Sequence, residues 1–282
     1  DGTRIVHNCG FDSIPSDLGT RMLQHAALEE YGVPCRRVGF FVKGASGGFS
    51  GGTIDSMAGQ LEAASDDPEL RRLMADPYAL NPEGEREGPD GRDQMGVEYA
   101  DLAESWTAPF VMARVNERVV RRSNAVMGYA YGDQFQYGES TYMGDGAGGW
   151  LRAAGLTGGI GVFAGAMSLR PTRWLLRKTV LPDPGEGPSR EKIEGGYFAV
   201  DLIGEGEDSD GEHFEVRGHV ADDLDPGYGS TAKMLTESAI CLAVDDIDDE
   251  LTVDGGILTP ASAMGMTLVE RLREAGMTFE VE

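Results

Sequence analysis

Arg4-Ile5-Val6-His7-Asn8-Cys9-Gly10-Phe11-Asp12-Ser13-Ile14-Pro15-Ser16-Asp17-Leu18-Gly19 opens the chain as a short apolar strand that breaks at Gly10 and restarts as a helix near Ser16. Open α/β sheets build ligand sites this way, in the crevice beyond the carboxyl ends of the strands, where the N–H groups of the next helix point. Gly10 permits close backbone approach, Asp12 and Ser13 bring polar side chains to the strand tip, and Pro15 fixes the helix entry. A capped strand-to-helix turn, with Asp17 answering the helix dipole, explains the same residues. Because the strand lies at residues 4–9, the sheet it belongs to is expected outside the chain, and the site is expected to be partial.

Outward from that stretch, the 282 residues are enough for one large domain or two small ones. There are 48 acidic and 24 basic residues, a net charge of −24. The acid is spread along the chain, which reads as adaptation to high salt, where screening removes the self-repulsion. Such a field disfavours nucleic acid as a partner. Cys9, Cys35 and Cys241 are too few and scattered for a disulfide framework, which points to a reducing cytoplasm. No HExxH, CxxC or His-rich tract suggests a catalytic metal.

Periodicity predicts a helix over 17–30 and a strand over 35–44 that enters the Gly-rich turn 44–52. It predicts a helix from Thr53 to about Ala64, a short helix over 68–75 and an exposed loop over 76–96. A helix over 109–126 should turn Val111, Val115, Val119 and Val126 inward. Residues 129–142 alternate as one or two strands. Residues 196–205 and 213–221 form a hairpin, and helices follow at about 230–244 and 261–275. The last begins with Thr259 as cap and Pro260 at the first helical position, and stops at Gly276. The order is α+β: one strand of Rossmann (α/β) character, then a mixed sheet with helices packed on it.

Several stretches together resemble the saccharopine dehydrogenase-like oxidoreductases, and among them the trans-acting enoyl reductase subfamily. They are His7 to Gly19; Ala108 to Ala113 with Asn116 and Val120 to Ala125; Pro184 to Ser189; Asp225 to Tyr228 with Glu237 to Ala239; and Gly255 to Ala261. The likeness runs nearly end to end and in order. It implies that residues 1–16 are the C-terminal remnant of an NAD(P)-binding Rossmann domain and that 17–282 form a substrate-binding and dimerisation domain. It implies NADP or NAD as cofactor, hydride transfer to an activated C=C bond of a small or lipid-like acyl substrate, and a homodimer. Cys9, Gly10, Phe11, Asp12 and Ser13 then lie near the nicotinamide. The Gly-rich phosphate fingerprint expected before this segment is missing, so the chain by itself should hold one wall of the site and be inactive.

Arg114, Arg118, Arg121 and Arg122 share one predicted helix. They read either as ion-pair partners of surface acid or as an anion clamp for substrate, with Arg121 and Arg122 as its arms and Asn116 as a polar reader. Tyr129, Tyr131, Tyr137 and Tyr228 are phenols that could donate a proton or contact substrate. Tyr129, Tyr137 and Asn116 are taken as the catalytic candidates, and Tyr228 joins the substrate contacts. Gly44-Ala45-Ser46-Gly47-Gly48 fits a nucleophile elbow, which makes a serine esterase with Ser46 and His213 or His219 the rival enzyme. A non-catalytic, lipid-associated or scaffold relative is the rival from another class. Gly159 to Ala164 fits G-x-G-x-x-A but follows no strand, so the dinucleotide reading is rejected. The apolar run 150–169, flanked by Arg170, Arg173, Arg177 and Lys178, reads as a buried helical pair or as a peripheral membrane contact through 150–180.

Overall fold

The computed structural model describes residues 2–47, 59, 67–179, 187–247 and 255–282. The helix predicted from Thr53 to Ala64 lies outside the described residues, as does most of the Gly-rich turn.

Strand β1 (Arg4–Val6) leads into helix α1 (Ile14–Tyr31), which Gly32 ends in the left-handed conformation with its N–H on the Leu28 carbonyl. Then come β2 (Arg37–Ser46), α2 (Pro68–Ala75), β3 (Glu98–Ala100), β4 (Ser105–Pro109), α3 (Ala113–Val126) and β5 (Gln136–Tyr142). Helices α4 (Gly146–Ser168), α5 (Arg170–Thr179) and α6 (Arg190–Glu194) precede the hairpin β6 (Tyr197–Glu207) and β7 (His213–Asp222). Helix α7 (Thr231–Val244), strand β8 (Gly256–Leu258), helix α8 (Pro260–Glu274) and strand β9 (Thr278–Val281) close the chain.

Seven strands form one mixed sheet in the order β3-β4-β5-β2-β6-β7-β9, with β2 parallel to β5 and antiparallel to β6. Alternation puts Val38, Phe40, Val42, Tyr137, Val200, Leu202, Val216 and Val220 on one face. Leu18, Met22 and Leu23 of α1 and Met264, Leu268 and Leu272 of α8 complete that core. The other face carries a small cluster of Phe41, Leu102 and Ile203 beside polar pairs such as His219 with Asp201. Gln24 fixes α1 to the sheet, exchanging two hydrogen bonds with the backbone of Cys35 at 2.8 and 3.0 Å.

The α+β architecture is as the sequence predicts, and three local expectations are corrected. Strand β1 has a partner inside the chain: it pairs in parallel with β8, Ile5 opposite Ile257. Three residues between Gly255-Gly256 and a helix cap carry too little periodicity to announce a strand. The 76–96 loop is laid against α3 rather than exposed throughout, because Asp90 and Asp93 pair with buried arginines. Val111, just before α3, and Val115 on it face outward, Val119 faces inward, and the buried side of α3 is mostly polar.

Among the described residues no helix is long and apolar enough to cross a membrane.

Candidate functional site

The parallel strands β1 and β8 end on the same side; β8 enters α8 through the single residue Thr259, and β1 enters α1 through the loop 7–13. Leu258 is followed by Thr259, whose hydroxyl accepts the Ser262 N–H while the Ser262 hydroxyl accepts the Thr259 N–H. Asp17, fully buried in the first turn of α1, accepts the Ala261 N–H at 2.8 Å and the Ser123 hydroxyl at 2.5 Å. Its carboxylate therefore serves the N-terminus of α8 rather than that of its own helix. Burial pushes it up to about 7 against those hydrogen bonds.

The loop between β1 and α1 is internally satisfied. Gly10 N–H donates to Asp12 Oδ1 at 3.0 Å, Phe11 N–H to Thr231 Oγ1 at 3.0 Å, and the Ser13 and Ile14 N–H groups to the Gly10 carbonyl. A side chain at Gly10 would meet Asp12 and Thr231 below 3.0 Å, so close packing is why a glycine stands there. Cys9 is buried, with its thiol pushed up to about 11 by burial, which leaves it no thiolate at neutral pH. Phe11 packs edge-on against Phe198, and Phe11 and Asp12 are half-buried. Asn8 takes φ 61°, a conformation asparagine tolerates.

From this loop a line of hydrogen bonds runs into the sheet. Asn8 Nδ2 donates to Ser13 Oγ at 3.2 Å, and Ser13 Oγ donates to Asn116 Oδ1 at 3.2 Å. Asn116 Nδ2 donates to Glu139 Oε2 at 3.0 Å, and the Tyr137 hydroxyl donates to Glu139 Oε1 at 2.9 Å. The Glu139 N–H donates to Glu117 Oε1 at 3.0 Å, and Arg121 Nη2 reaches Glu117 Oε2 at 3.1 Å. Arg121 also holds Asp90 at 2.6 Å and the carbonyls of Tyr137 and Pro77 at 3.1 Å. Burial, reinforced by the Glu117 carboxylate, pushes Glu139 up to about 8. Burial likewise raises Glu117, although Arg121 opposes it, and raises the Tyr137 phenol. The hydroxyls of Ser16 and Thr20 on α1 pull the Tyr137 phenol back down. A polar-lined cavity of about 230 Å³ lies alongside, bordered by Arg37, Asp90, Gln94, Thr107, Glu139 and Ser140.

The structure thus joins three of the predicted residues, Ser13, Asn116 and Tyr137, through Glu139, which sequence reasoning missed. Tyr137 and Asn116 are buried and meet each other's partners rather than solvent. Tyr129 lies apart, at φ 61° on the turn after α3 with its hydroxyl toward Glu85, because the strand begins only at Gln136. Arg121 is 4% exposed and paired with Asp90 and Glu117, as the ion-pair alternative for this residue expects. Arg118 is committed likewise to Asp93 at 3.0 Å. Arg122 donates to the carbonyls of Leu80 and Ile257, which ties the 76–96 loop to β8. Tyr228 sits half-buried on a one-turn π-helix (Pro226–Ser230) capped by Asp225; the residue after that turn is Thr231, the partner of Phe11. The missed signal was a polar stripe at i, i+4 and i+8, Ser16, Thr20 and Gln24, on an otherwise apolar helix face.

Ser46 and His213 cannot form a hydrolase pair. Ser46 pairs with Tyr197 at one end of β6 and His213 with Glu207 at the other, roughly 33 Å apart along the strand. His219 is held by Asp201 at 2.8 Å, and Ser46 is the last residue of β2.

The loop does not fit the pyrophosphate of a dinucleotide, since the N–H groups of Gly10, Phe11, Ser13 and Ile14 are all taken. Asn8, Phe11 and Asp12 are the half-buried side chains of the loop.

The chain is 41% identical over 288 residues to a protein of Mycobacterium tuberculosis H37Rv provisionally named a trans-acting enoyl reductase, covering 99% of this chain and 67% of that protein. It is 37% identical over 287 residues to the trans-acting enoyl reductase of Mycobacterium ulcerans, covering 98% of this chain and 66% of the relative. A second Mycobacterium tuberculosis H37Rv protein, named trans-acting enoyl reductase, is 37% identical over 291 residues, covering 99% and 67%. No family model and no solved structure matches the chain.

Proposed function

This chain belongs to the family of the trans-acting enoyl reductases, and from that premise we propose that it forms the substrate-side wall of an NAD(P)-dependent enoyl reductase of the saccharopine dehydrogenase-like type. The observation that carries this reading is the line Asn8–Ser13–Asn116–Glu139–Tyr137. It ties the loop at the tip of β1 to a buried acid that keeps its proton at neutral pH. In this reading the reduced nicotinamide supplies the hydride for the C=C bond. Asn116, Glu139 and Tyr137 are positioning residues that hold the loop, and Asn8, Phe11 and Asp12 are the groups that face the reactants. No phosphate contact is assigned to the loop.

Residues 1–16, together with β8, are proposed to belong to the cofactor domain, and the rest to a substrate and dimerisation domain. Ile5 and Ile257, paired in register, are 47% and 55% exposed, which is unusual because parallel strands are normally covered on both faces. A ribbon of two three-residue strands is also too small to stand alone. Both observations support a larger sheet around it.

Titration of the full-length protein with NADPH, followed by nicotinamide fluorescence, tests the cofactor. Saturable binding is expected. Failure to bind at low and high salt would favour the non-catalytic relative.

A further inference from the structure

Residues 146–182 contain no aspartate or glutamate, in a chain with 48 acidic residues, and they carry Arg152, Arg170, Arg173, Arg177 and Lys178. This segment, net +5 by sequence on a protein of net −24, includes α4 and α5. The sequence leaves α4 open between half of a buried pair and a peripheral membrane contact, and in the structure much of its apolar surface is exposed. Gly149 and Ala153 anchor its start, where a side chain at Gly149 would collide with the Gly144 carbonyl, and Met167 is buried near its end. Between them one side of the helix, with Ala154, Thr157 and Ile160, is half-buried, and the other is exposed. Val162 is 76% and Leu151 63% exposed, and Leu156 and Phe163 are exposed as well.

At 100° per residue Leu151 and Val162 project to one side of α4, while Leu156 and Phe163 project to another. Together the four make one apolar arc of about 140°, the kind of face an interfacial helix lays into the headgroup–acyl boundary. Trp150 at the start of α4 and Trp174 on α5, 63% exposed, are the side chain that settles at a bilayer interface. The segment is too weakly apolar to span.

We propose that the α4–α5 segment docks the protein on an anionic phospholipid surface, with the exposed apolar side chains of α4 in the headgroup–acyl boundary and the acid-free segment against the lipid phosphates. The inference is independent of the reductase reading.

The test is co-sedimentation of the full-length protein with vesicles of phosphatidylglycerol and phosphatidylcholine at about 0.15 M salt, with tryptophan emission recorded in parallel. The probe variant is Val162→Asp with Phe163→Asp, two exposed positions, and circular dichroism checks its fold. The proposal expects binding to the anionic vesicles, a blue shift of emission, and about tenfold weaker binding or less in the variant. Absence of binding, equal binding of the variant, or equal binding to pure phosphatidylcholine would overturn it. So would a wild-type dimer that becomes monomeric in the variant without any vesicle binding, which would assign the surface to a second copy of the chain.

Discussion

Asn116 stands between Ser13 and Glu139, accepting from the first at 3.2 Å and donating to the second at 3.0 Å. Both neighbours are buried, so the carboxamide has one orientation that satisfies them. Asn116→Leu removes a donor and an acceptor together and strands two buried groups, which should cost about 2–3 kcal/mol in urea unfolding. The loop from Asn8 to Ile14 should loosen, seen as faster amide hydrogen exchange there than elsewhere. Exchange that rises uniformly over the chain would mean that the contact does not hold the loop.

Stability should fall as pH rises from about 4.5 to about 8. Glu139 binds its proton more tightly folded than unfolded, shifting from 4.5 to about 8. Between those values the folded state holds a proton that the unfolded state has lost, so the slope of unfolding free energy with pH is negative, at most about 1.4 kcal/mol per pH unit for this group. Asp17, raised to about 7, adds in the same sense. Glu139→Gln keeps the shape and fixes the neutral state, so its Tm should decline less steeply than wild type between pH 5 and 8, about the range of the shift. Parallel profiles would place the proton elsewhere.

Arg121 discriminates between support and substrate binding. It joins Asp90, Glu117 and two carbonyls, and a lysine cannot reproduce that fork. Arg121→Lys should destabilise the protein by about 2–4 kcal/mol, with Asp90 and Glu117 left poorly paired in the interior. An anion clamp for substrate would instead show unchanged urea stability and a raised KM.

Asp17 is the bolt between α1, α3 and the start of α8. Asp17→Asn retains an oxygen for the Ala261 N–H or the Ser123 hydroxyl, whereas Asp17→Ala retains neither. The alanine variant should lose about 3 kcal/mol in urea unfolding and the asparagine variant about half of that. Equal losses would show that the charge, not the acceptor, is what matters.

The readable part of the sequence was the part with local causes. The hairpin β6–β7 announced itself through alternation, and α8 through Thr259 and Pro260. The α1 entry and its polar loop were legible from Gly10 to Pro15. What could not be read depended on contacts distant in the chain. β1 and β8 meet across 252 positions in sequence (Arg4 with Gly256), and neither strand is longer than three residues. The polar face of α3 looked like a solvated surface because Asp90, Asp93 and Glu139, which bury it, come from two other segments. For α4 the apolar composition could not choose between burial and exposure; in the structure one side is half-buried and Leu151, Leu156, Val162 and Phe163 are exposed. Glu139, the centre of the network, is one acid among 48 until the fold places it under Asn116.

The most direct measurement is NADPH oxidation by the full-length protein with an α,β-unsaturated acyl thioester, compared with Asn8→Gly. Glycine keeps the left-handed backbone at position 8 and removes the carboxamide with its hydrogen bond to Ser13. The account predicts thioester-dependent oxidation in the wild type and about tenfold lower kcat/KM in the variant at nearly unchanged Tm. Identical kinetics in Asn8→Gly, or no thioester-dependent oxidation by the wild type, would contradict the placement of the reacting groups at the tip of β1.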